Sequence, residues 1–278
     1  MEINKDTMKQ ELTQLLDRVF KLPEVNMVKI KEINIYAADE TDKIAKSVEE
    51  CYHDVLSDID VGIHVTLHPK DIRDGHGYHS NPERIGLLRE NYLGLACSEA
   101  GGLFQMFRVI MKNGIRFDIG MYITEDLNAP IYQIPCSEKQ EIKEEGKFWP
   151  RWDLRKADYF WFVQIQALAK LMRRDYLIAD HLANMQINET LLAQMIERDN
   201  QYGTNFHRYG YAEQLDYQTN IGQEFSFDKK EETYNLIARK LCAAAVSYDR
   251  MITRLNPVYE ERRSIFFNIW KQYDSKVK

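Results

Sequence analysis

The chain has few cysteines, no long apolar run and no excess of basic residues, and each shortage removes a class of protein. Its 4 cysteines, Cys51, Cys97, Cys136 and Cys242, are scattered with no Cys-x-x-Cys pair. Neither a zinc knuckle nor a disulfide scaffold is indicated, and they read as reduced packing residues. No stretch approaches the ~18 apolar residues that a membrane span needs. The N-terminal "MEINKDTMKQELTQLLDRVF" is charged and helix-periodic, without the apolar centre of a signal peptide. The expectation is a soluble cytoplasmic protein with no membrane partner, in which the sequon at Asn188 carries no glycosylation. With 37 basic residues against 43 acidic ones, a nucleic-acid partner is disfavoured and a small-molecule one expected. No internal repeat and no low-complexity segment is present.

What the chain does have is length and apolar content. Its 278 residues, 44% of them hydrophobic, suffice for one large domain or two ordinary ones, and two are expected. The oligomeric state stays open. Residues 1–127 alternate helical and strand patterns. Leu12, Leu15, Leu16, Val19 and Phe20 recur at helical spacing, "KEINIYAADE" alternates as a strand, and "TDKIAKSVEECYHDV" places Ile44, Val48, Cys51 and Tyr52 on one helical face after Thr41 as a possible N-cap. After a connection rich in Gly, His and charge, "LFQMFRVIMKNGIRFDIGMYIT" reads as a hairpin turning at Lys112-Asn113-Gly114. Residues 128–150, with Pro130, Pro135, Pro150 and the run "SEKQEIKEEGK", read as a linker or insertion. Residues 151–278 read as a helical domain, with Trp161, Ile165, Leu168, Ala169 and Met172 on one face of its first helix. The fold class expected is α+β, a small mixed sheet followed by helices.

The chemistry centres on "SDIDVGIHV". Side chains two apart on a strand point the same way, so Asp58 and Asp60 stand side by side and repel. Asp118 lies on the returning strand of the hairpin. Hard cations such as magnesium take oxygen ligands, and a few carboxylates with substrate phosphates make a common nucleotidyl-transfer site. The plainer reading is a strand end with solvated acids, and Asp118 paired with Arg116 or another base. His64, His68, His76 and His79 cluster with Asp71 and Asp74, but their spacing matches no zinc site. Trp149, Trp152 and Trp161, with Tyr159 and Phe160, suggest an aromatic core between domains. Glu99, Asp153 and Asp158 are open alternatives for a general base, with Glu99 placed just before a glycine pair.

"LSDIDVGIHV" followed by "IRFDIGMYI" resembles the two metal-binding elements of the nucleotidyltransferase superfamily. "ADYFWFVQIQALAKLMRRDYLIADHLANMQINETLLAQMIE" and "YGTNFHRYGYAEQLDY" resemble the helical half of its streptomycin 6-adenylyltransferase (aminoglycoside adenylyltransferase) group. The resemblance runs from about Lys31 to Ile269. It implies a nucleotidyltransferase-like N-terminal domain in which Asp58, Asp60 and Asp118 hold Mg2+. The implied reaction moves a nucleoside monophosphate, AMP from ATP, to a hydroxyl of a small acceptor such as an aminoglycoside, with antibiotic resistance as the associated role. It also implies nucleotide contacts from Ser57, from Lys170 on the basic helix face, and from the segment around Ala38 and Asp39. That segment departs from the family: "IYAADETDK" has Ala37, Ala38 and Asp39 where Gly-Ser is expected. Alanine narrows the backbone geometry, and aspartate repels phosphate. A nucleotidyltransferase-like protein that has lost catalysis and serves as a binding or regulatory module is therefore the competing expectation.

Overall fold

The computed structural model describes residues 2–36, 41–73, 82–100, 103–134, 151–203 and 232–276. The chain divides into two compact units, Met1–Lys139 and Gln140–Lys278, and the fold is α+β. Most of the expected linker, and the segment holding Ala37, Ala38 and Asp39, lie outside the described residues.

In the first unit, helix α1 (Lys5–Val19) opens with a reciprocal cap. The Thr7 N–H donates to Asn4 Oδ1 at 2.9 Å, and the Asn4 N–H to Thr7 Oγ1 at 3.0 Å, satisfying donors that a helix start leaves unpaired. The helix buries Met8, Leu12, Leu15, Leu16 and Val19. Strands β1 (Val25–Ile30) and β2 (Ile33–Ile35) follow as a hairpin. The sequence reading had one strand here. The link Lys31-Glu32 lacks the Gly or Asn expected at such a turn, yet Lys31 takes a left-handed φ of 49°.

Helix α2 (Thr41–Cys51) buries Ile44, Val48 and Cys51 and packs on β2 and β3. Strand β3 (Asp58–Leu67) alternates strictly, with Ile59, Val61, Ile63, Val65 and Leu67 buried. Then come α3 (Pro69–Arg73), a 3-10 turn at Pro82–Ile85, and strands β4 (Tyr92–Ala100), β5 (Phe104–Met111) and β6 (Arg116–Glu125). The six-stranded sheet runs β2-β1-β3-β6-β5-β4. β3 and β6 are parallel, and the other neighbours are antiparallel. The hairpin turns where the sequence places it: Gly114, at φ 92°, donates its N–H to the Met111 carbonyl at 2.9 Å.

Asp71 is 3% exposed, and among the described residues it joins no metal-holding cluster. It accepts the N–H of Tyr132 at 2.9 Å and of Ile134 at 3.4 Å, tying α3 to the chain that follows β6. Asp71→Ala strands two amide donors and is expected to cost about 2–3 kcal/mol, read as a lowered urea midpoint; an unchanged midpoint would contradict this role. His76, His79 and Asp74 lie outside the described residues.

The second unit contains α4 (Leu154–Met172), α5 (Tyr176–Tyr202), α6 (Glu232–Leu255) and α7 (Arg263–Lys276). Among the described residues no helix is long and apolar enough to cross a membrane. α4 packs on α5, α6 and α7, and α6 on α5 and α7. Trp152, Phe160 and Trp161 build this unit's own core, whereas the sequence reading placed them between domains. The Phe160 ring stacks on Tyr248 with centroids 3.5 Å apart, Trp152 Nε1 donates to Tyr248 Oη at 3.0 Å, and Trp161 Nε1 to Tyr259 Oη at 2.7 Å. Tyr159 is exposed, and Trp149 lies outside the described residues.

Candidate active site

The parallel register of β3 and β6 brings the three aspartates together. Asp58 pairs across with Arg116, Asp60 with Asp118, Gly62 with Gly120 and His64 with Tyr122. Residues facing each other across strands share a sheet face, so all eight lie on the face opposite Ile59, Val61, Phe117 and Ile119. Antiparallel pairing with β5 extends the rows, setting Arg108 beside Asp118 and Phe104 beside Tyr122. The face therefore has a charged end and an aromatic end, with two glycines between them.

At the charged end, like charges raise one another's proton affinity. Burial first, and then the Asp58 charge, push the Asp60 carboxyl above its ordinary range. The same two causes, in the same order, raise Asp118, with Asp60 adding a smaller push. Two arginines offset this. Arg116 donates to Asp58 Oδ2 at 3.3 Å and to the Leu56 carbonyl at 3.1 Å. Arg108 Nε lies 3.3 Å from Asp118 Oδ2. The plainer sequence reading paired Asp118 with Arg116 or another base; Asp118 takes Arg108, and Arg116 takes Asp58.

At the aromatic end, Tyr122 stacks on His64 with centroids 4.9 Å apart and meets Phe104 at 5.1 Å. A Cβ at Gly62 or Gly120 would come within 3.2 Å of Tyr122 Cε2, so the ring lies across the glycine pair, leaning towards the aspartates. Burial, and then Lys29, lower the His64 pKa, which keeps the imidazole neutral against its ring partner at neutral pH.

The other expected site residues are placed as follows. The Ser57 hydroxyl accepts the N–H of His53 at 2.9 Å and of Asp54 at 3.0 Å, holding the turn that delivers Asp58. Glu99 pairs across with Gln105, whereas the row through Asp118 and Arg108 continues to Ala96. In the helical unit, Lys170 sits at the end of α4 and contacts Asp175 at 3.2 Å. Asp153 caps α4 by accepting the Arg155 N–H at 2.8 Å, and Asp158 is buried against Arg262 at 2.8 Å. Ala38 and Asp39 lie outside the described residues.

Carboxylate oxygens are the donors magnesium prefers, and three on one face suit a divalent cation in donor chemistry. Their present side-chain directions do not enclose one. Among the described residues, no three His, Cys, Asp or Glu side chains converge into a coordination set, and Asp58 and Asp118 are engaged by the arginines.

Sequence reasoning missed Arg108, although the signal was there. A hairpin centred on Asn113 pairs residues equidistant from it, and Arg108 and Asp118 are each five positions away.

No protein-family model and no curated protein matches the chain. Among solved structures it is similar to an aminoglycoside 6-adenyltransferase from Bacillus subtilis, with 12% identity and a TM-score of 0.33, over 96% of this chain and 98% of that one. No correspondence between residues follows from a likeness of that size.

Proposed function

We propose that the protein is a magnesium-dependent nucleotidyltransferase that moves AMP from ATP to a hydroxyl of a small acceptor such as an aminoglycoside. The observation that carries this reading is the register pairing Asp60 with Asp118 beside Asp58. It makes one half-exposed row of carboxylates whose mutual repulsion favours a cation. Asp58, Asp60 and Asp118 would hold the magnesium, which supplies neutralisation of the triphosphate and of the charge that develops at the reacting phosphorus.

In the proposed reaction the acceptor oxygen bonds to the α-phosphorus, the bond from that phosphorus to the bridging oxygen breaks, and pyrophosphate leaves. The hydroxyl proton passes to a base. The aspartate row would position the reacting groups. The apolar face beneath the row keeps β3 and β6 in register, so the carboxylates are held by packed strands and not by loops.

The competing reading, a catalytically inactive binding or regulatory protein, is favoured by the arginine pairing of Asp58 and Asp118 and by Ala38 and Asp39 in place of Gly-Ser. Incubation with ATP, magnesium and a panel of hydroxylated acceptors that includes aminoglycosides separates the two. The expected result is pyrophosphate release and an adenylylated acceptor by mass spectrometry. Absence of pyrophosphate with every acceptor, together with absence of nucleotide binding, would support the inactive reading.

A further inference from the structure

We draw no further inference here: the strongest candidate, the ladder of His64, Tyr122 and Phe104 rings beside the Gly62–Gly120 pair on the sheet face that also holds the aspartates, carries nothing because nothing in the structure shows what covers it.

Discussion

Asp60→Asn is expected to lower nucleotidyl transfer by about a thousandfold or more, the scale on which loss of charge stabilisation at a phosphoryl centre is felt, without destabilising the metal-free fold. Asp60 lies at the middle of the carboxylate row, next to Asp58 along β3 and next to Asp118 across to β6. Its carboxyl is raised by burial and by Asp58, so at mildly acidic pH the folded chain keeps a proton that the unfolded chain has released. From the ordinary value of 3.8 up to the raised one, stability therefore falls as pH increases. Above that window the charged row opposes folding. Replacing one carboxylate with a neutral amide of the same shape relieves this. Thermal denaturation with a metal chelator present should give Asp60→Asn a melting temperature equal to or above that of the natural protein. Lost transfer with an unmoved or higher melting temperature marks a functional carboxylate. A melting temperature several degrees lower would make Asp60 a structural group.

The opposite pattern is expected in the helical unit. Arg262 and Asp158 are an ion pair with side chains 6% and 3% exposed, 2.8 Å apart. The Arg262 amide also donates to Asp249 Oδ1 at 2.9 Å, and the same oxygen accepts the Tyr259 hydroxyl at 2.7 Å. Burial raises the Asp249 carboxyl, and the Arg262 amide bond and the Tyr259 hydroxyl hold it down. Arg262→Met leaves Asp158 buried without its counter-charge and is expected to cost about 3–5 kcal/mol in urea denaturation. Adding Asp158→Leu removes the stranded charge and should recover most of that loss, because an apolar pair can replace a buried ion pair at little cost. A single variant within about 1 kcal/mol of the natural protein, the size of an exposed pair, would contradict the assignment.

Local patterns in the sequence carried the central architecture. The alternation of "DIDVGIHVTL" sets buried Ile59, Val61 and Ile63 against Asp58 and Asp60, and the turn signal at Asn113-Gly114 places β5 and β6. What stayed hidden had weak or distant signals. Strand β1 is joined to β2 through Lys31, a residue that seldom takes a positive φ. Strand β4 is interrupted by Gly94 and Ser98 and sits inside a polar connection, so its buried Tyr92, Leu93 and Leu95 read as loop. Asp153 and Asp158 looked like candidate bases because nothing nearby in sequence explains them. Asp153 is a helix cap, and the partner of Asp158 lies 104 residues away. The pairing of Arg108 with Asp118 was legible by reflecting the hairpin about Asn113, whereas the anchoring of Arg116 on the Leu56 carbonyl needed the three-dimensional register.

The most direct test of the account is calorimetry on the natural protein with magnesium and a non-hydrolysable ATP analogue, each alone and then together. The account predicts that the analogue binds only when magnesium is present and that Asp60→Asn abolishes this binding. Absence of binding at millimolar analogue with magnesium present would contradict it, leaving the aspartate row a feature of the scaffold that its two arginines offset in part.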